Sequence, residues 1–210
     1  MQNPTARLET FCDGVFAIAI TLLILEIRVP AMETITSTHT LGHALKEQWP
    51  SWFALLLSFG TILIAWSNHH GAMRLINKSS SLLNFANGFF LLTIVILPYP
   101  TSLLAEYIDS DSAQTAVMFY SSAIVLQNIS WTLMFHSMLS PKDLSANQHS
   151  RNIIVKTRIR CIYAFIVYLM ITALAYWFPL VALGLLALLW VIWIIVGISI
   201  NELDIETAQA

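Results

Sequence analysis

Asp13, His69 and His70 are the ionisable residues whose positions ask for a chemical reason. Each falls inside or at the end of a long apolar run, and a charge at the centre of a membrane costs roughly 2.5–3.5 kcal/mol. Asp13 lies about one turn inside the first run, with Arg7 before it. Trp66-Ser67-Asn68-His69-His70 closes the second run, and Asn84 and Asn87 open the third. An acid and a histidine at one membrane level could relay protons. The same groups bonded across helices contribute about 0.6 kcal/mol each on average and would hold the first helix against its neighbours. An acid in the first turns also complements the helix macrodipole. His69 and His70 are adjacent, so on a helix they cannot converge on one metal as an i, i+4 pair does. That disfavours an enzyme built on them.

Two other patterns carry less. His39, His43 and Glu47 are spaced i, i+4, i+8, which on a helix puts three metal-capable groups on one face. No fourth ligand accompanies them, and no metal site or cofactor is expected. Asn77-Lys78-Ser79 and Asn128-Ile129-Ser130 match the glycosylation acceptor pattern. The first falls on the cytoplasmic side and the second inside a span, so neither is expected to be used.

The elements that must position these residues are set by composition. The 210 residues are 57% hydrophobic and 10% charged, with a mean hydropathy of +0.71. A soluble domain carries about 25% charged residues, so this chain could not cover a water-facing surface. A net charge of -2 leaves no basic footprint for nucleic acid. The two cysteines, Cys12 and Cys161, are too few for a disulfide framework. They fall near cytoplasmic helix ends, where thiols stay reduced.

Six apolar runs long enough for spanning helices occur at about 11–29, 50–68, 82–105, 114–136, 158–178 and 179–200. Their continuity predicts helices rather than a barrel. Pro98 and Pro100 predict a break near the end of the third. Asp13 inside the first run, and the Val29-Pro30-Ala31 sequence after it, argue against a cleaved signal. Arg7, Arg74, Lys78, Lys142, Arg151, Lys156, Arg158 and Arg160 fall on one side; Arg28 and Lys46 fall on the other. The basic side faces the cytoplasm, which places both termini there. The fold expected is therefore an all-α integral membrane protein, one six-helix domain over 1–210, multi-pass in the cell membrane. Segment 39–47, in the outer loop, has helical character.

On a wheel of 100° per residue, Phe11, Ile18, Leu22, Leu25 and Val29 of the first helix fall within about 40° of one line. Gly14 and Thr21 lie at its margin. Asp13 points about 140° from Ile18, on the side expected to bind the bundle. In a membrane, lipid contact or core packing accounts for such a stripe, and periodicity alone asks for nothing more.

The segment Arg7-Leu8-Glu9-Thr10-Phe11-Cys12-Asp13-Gly14-Val15-Phe16-Ala17-Ile18-Ala19-Ile20-Thr21-Leu22 resembles the signature of the transmembrane protein 175 family of potassium channels. Arg7 and Phe11-Cys12-Asp13 match its Arg, three residues, Phe-Ser-Asp pattern in all but the serine. Trp66-Ser67-Asn68-His69-His70 and Leu97-Pro98-Tyr99-Pro100 are also similar to the family.

The resemblance implies a homotetramer of six-span chains conducting potassium through a pore lined by the first helix, about 11–29. It implies a constriction at Ile18 with further apolar layers at Leu22 and Leu25, and a selectivity contribution from Thr21. Arg7, Phe11, Asp13, Trp66, His69 and Asn84 would belong to the network anchoring the pore helix. This sequence lacks a Gly-Tyr-Gly filter, as the family does. Cys12 departs from the family serine, and a thiol is a weaker hydrogen-bond partner than a hydroxyl. The functional expectation is a potassium-selective cation channel gated by an apolar constriction, with potassium and the bilayer as its only partners beyond its own copies. The alternative is a proton-coupled secondary transporter using Asp13 with His69 or His70.

Overall fold

The computed structural model describes residues 6–36, 40–140 and 143–208. Helix α1 covers Ala6–Leu22 and continues as a 3-10 turn, Leu23–Glu26, before the chain turns extended at Ile27. Helix α2 (Leu41–Glu47) is short and is capped by the Thr40 side chain, which accepts from the backbone N–H of His43. Helix α3 covers Trp49–Arg74, with Pro50 in its first turn, where the missing N–H costs nothing. Helices α4 (Ser81–Ile96) and α5 (Pro98–Tyr107) follow, then α6 (Ala113–Leu139), α7 (Gln148–Leu174) and α8 (Pro179–Ala208). The described residues contain no strand, only an isolated antiparallel bridge between Ile76 and Ser145.

The element boundaries have local causes. The helical part of the first span stops at Glu26 rather than 29. Val29 precedes Pro30, which disfavours helical dihedrals at the residue before it, so Val29 leaves the apolar stripe of α1. The third span breaks at Leu97 because Pro98 has no N–H to continue the ladder. There the Thr101 hydroxyl donates to the Leu97 carbonyl at 2.7 Å. Helix α7 begins ten residues before its apolar run because Asn147 caps it, accepting from the Ser150 N–H at 2.8 Å. Arg151 and Lys156 thus ride on a helical extension, and Arg158 and Arg160 follow at the start of the run.

Segments Arg7–Glu26, Trp49–Arg74, Ser81–Tyr107, Gln148–Leu174 and Pro179–Gly197 are long and apolar enough to cross a membrane. Helix α6 is 27 residues long but is not among them. Its place in the bundle explains its polarity. It packs against α4, α5, α7 and α8, and Ser121, Gln127, Asn128, Ser130 and Ser137 on it are all buried.

A larger apolar core joins Phe16 of α1 and Leu23 of the 3-10 turn that continues it to Leu57, Phe90, Ile94, Leu104 and Tyr120. A smaller one, at the end where α1 begins, gathers Met73, Leu75, Leu83, Met134, Met138 and Ile154. Above it the α3–α4 and α6–α7 connections are stitched together. Asn77 N–H donates to the Leu144 carbonyl, and Ala146 N–H to that of Leu75. In lipid, close packing and interhelical hydrogen bonds hold such contacts, because apolar burial by itself gains little. Gly60 shows the packing: a Cβ there would lie 2.7 Å from the Trp190 ring of α8.

Candidate functional site

Helix α1 is divided lengthwise. Cys12, Phe16, Ala19 and Leu23 follow the helical period and are at most 1% exposed. On the other side Phe11 is 62% exposed, Ile18 62% and Leu25 70%, with Gly14, Thr21 and Leu22 also open. The apolar stripe read from the sequence is therefore the side turned away from the bundle. The side that binds the bundle is centred on the small and aromatic strip, and Asp13 sits at its edge.

Asp13 is exposed, and its carboxylate accepts from the Trp66 indole Nε1 of α3 at 2.8 Å. Trp66 in turn stacks on His70, with ring centroids 6.4 Å apart. The Arg74 guanidinium lies 3.0 Å from His70 Nε2, one turn along α3.

One layer deeper, Asn87 of α4 connects α1 and α3. Its Nδ2 donates to Cys12 Sγ at 3.2 Å, and its Oδ1 accepts from His69 Nε2 at 2.8 Å. The His69 ring is boxed by Phe16, Phe90 and Trp131, lying nearly parallel to Phe90 at 5.5 Å. Cys12 keeps a hydrogen bond at the position of the family serine, and neither cysteine is in a disulfide.

The predicted anchoring residues therefore fall into separate groups. Asp13 and Trp66 pair directly. His69 joins Cys12 through Asn87 rather than meeting Asp13. Asn84 accepts from the Ser79 hydroxyl at 3.0 Å, on the α3–α4 connection. Arg7 lies exposed in the first turn of α1, and Phe11 is on its open face. Asn87 stood in the polar cluster read from the sequence, but not among the anchoring residues that the family resemblance implied. Its signal was depth: it is one turn further into the span than Asn84, level with Cys12.

Along the open face, the Thr21 hydroxyl donates to the Ile18 carbonyl at 2.9 Å. Of the outer histidine pattern, His39 lies outside the described residues, and His43 Nδ1 is 3.2 Å from Glu47 Oε1. The described residues hold no group of three or more His, Cys, Asp or Glu able to bind a metal.

These features define a multi-pass helical membrane protein whose first helix presents an apolar face and is pinned from behind by polar bonds. The chain belongs to the TMEM175 family. The family model, described as the endosomal/lysosomal potassium channel TMEM175, matches residues 7–98. A potassium channel of Chamaesiphon minutus is 38% identical over 151 residues, covering 72% of this chain and 74% of its own. A potassium channel of Streptomyces collinus is 34% identical over 213 residues, covering 100% of this chain and 98% of its own. The crystal structure of a lysosomal potassium-selective channel TMEM175 homolog from Chamaesiphon minutus superposes with a TM-score of 0.82 at 30% identity. It covers 93% of this chain and 99% of that one. Vertebrate relatives are named endosomal/lysosomal proton channels; the chicken protein is 32% identical over 60% of this chain and 27% of its own.

Proposed function

We propose that this chain conducts potassium through a pore lined by α1 from four copies. The observation that carries the reading is the lengthwise division of α1, sealed on one side and open and apolar on the other. The activity named for the bacterial relatives and the family resemblance supply the ion and the subunit number. In this reading the whole chain acts as one six-crossing domain of the cell membrane, with α4 and α5 counted as one crossing. Both termini lie in the cytoplasm, on the side of Arg7, Arg74, Lys78 and Arg151.

Ile18 forms the constriction, and Leu22 and Leu25 continue the apolar lining outward. A ring of side chains with no charge blocks ions by dewetting, and a small rotation or spreading of α1 wets it. Cation preference then comes from elsewhere in the pore. The Thr21 hydroxyl directs its proton to the Ile18 carbonyl, which leaves its oxygen lone pairs to meet a partly dehydrated cation. No Gly-Tyr-Gly filter takes part. The Asp13–Trp66 pair and the Cys12–Asn87–His69 chain hold α1 at the angle that presents Ile18; Arg7, Phe11 and Asn84 serve the same end of the helix.

The proton-channel names of the vertebrate relatives favour a second reading, in which the wetted pore also passes protons. A carrier with Asp13 and His69 as relay is less well supported, because Asp13 is bonded to Trp66 and His69 to Asn87. Potassium efflux from proteoliposomes separates these readings. A channel gives efflux that does not saturate and persists without a pH gradient. Saturable efflux that stops when the pH gradient collapses overturns the proposal.

A further inference from the structure

We propose that a partly open chamber lined by α3, α6, α7 and α8, away from the α1 face, binds a small cluster of water molecules. The same chemistry admits other small uncharged hydrogen-bonding molecules. The chamber measures about 70 Å³, and one water needs roughly 10–15 Å³ of such volume, so it accommodates several. Its lining includes Gln127, Asn128 and Thr157, which are 6%, 3% and 2% exposed. Gln127 Nε2, Asn128 Oδ1 and Thr157 Oγ1 have no protein hydrogen-bond partner. A buried unpaired polar group costs about 1–3 kcal/mol, so three in one chamber call for an occupant.

The chemistry of that occupant follows from the lining. The amide nitrogen donates, the carbonyl oxygen accepts, and the hydroxyl does both; water offers the matching set. No charged side chain lines the chamber, so an ion would lose its hydration with no counter-charge. General polarity of α6 is not the explanation. Ser121, Ser130 and Ser137 on the same helix satisfy themselves on carbonyls of their own helix at 2.6–2.8 Å.

The test is X-ray radiolytic footprinting of the full chain in lipid nanodiscs, in which activated water oxidises the side chains beside it. Phe135 and Tyr120 line the chamber and are 2% and 1% exposed. Phe16 and Phe90 are equally buried but outside it. Oxidation of Phe135 and Tyr120 several-fold faster than Phe16 and Phe90 is expected; equal rates overturn the proposal. Thr157→Val supplies a second readout whose sign differs between a wet and a dry chamber. Loss of a water partner lowers the midpoint of thermal unfolding, whereas removal of a dry unpaired hydroxyl raises it. A rise therefore also overturns the site as drawn.

Discussion

The two sides of α1 are both apolar by composition, yet they do different work. The side of Cys12, Phe16, Ala19 and Leu23 is closed by neighbours and carries a hydrogen bond at Cys12. The side of Phe11, Ile18, Leu22 and Leu25 is open, and the Thr21 hydroxyl on it is turned onto its own helix. In a bilayer, apolar exposure alone says little, because lipid is as apolar as leucine. What distinguishes the sides is where the interhelical polar bonds end. In the proposed function these bonds hold the rotation of α1, and that rotation decides which residues face away.

Breaking the open side should give the largest effect. Ile18→Asn, which places a polar ring in the proposed constriction, should raise single-channel conductance or resting current several-fold in planar bilayers. Unchanged current would remove Ile18 from the gate. On the closed side, Asn87→Ala strips both Cys12 and His69 of their partner. It should cost about 1–3 kcal/mol, read as a lower thermal midpoint in detergent. Asn84→Ala removes only the bond to Ser79 near the helix start and should cost less than about 0.5 kcal/mol. Equal losses would show that the family motif, rather than this geometry, ranks the anchors.

Smaller still, Cys12→Ser should strengthen the bond from Asn87, since a hydroxyl accepts better than a thiol. A thermal midpoint raised by a degree or two is expected; a fall would mean that sulfur packing outweighs the bond. The smallest effect lies outside the membrane. The Ser145 hydroxyl and backbone N–H beside Asp143, and Arg151 at 2.8 Å, hold the Asp143 carboxyl below the ordinary value of 3.8. A carboxyl depressed on folding stabilises the folded chain above its unfolded pKa. That contribution is lost as the pH falls through the folded value. Protection of the amides in 143–151, taken relative to their unstructured exchange rates, should therefore fall below pH 3.8 in the native chain, and Asp143→Asn should flatten that dependence.

Most of the fold was legible because bilayer length and proline chemistry leave few alternatives. The break at Pro98 and the boundary between the runs 158–178 and 179–200 were plain in the sequence. The early start of α7 was not, because charged residues on a helix beyond the membrane look like loop to a hydropathy reading. Asn147 three residues before Ser150 was the available signal. Helix α6 read as an ordinary span, and its polarity became explicable only from its central place. In the site, the wheel found the stripe of α1 but placed the bundle-facing side on Asp13 rather than on Cys12 and Phe16. Periodicity fixes relative phase; which phase meets a neighbour depends on partners such as Trp66 and Asn87, whose reach no single helix records.

The central claim is that α1 lines a potassium pathway. The most direct measurement is the reversal potential of the purified, reconstituted protein under opposed potassium and sodium gradients. The account predicts a shift toward the potassium equilibrium value. A reversal at zero, or no current under any gradient, would contradict it.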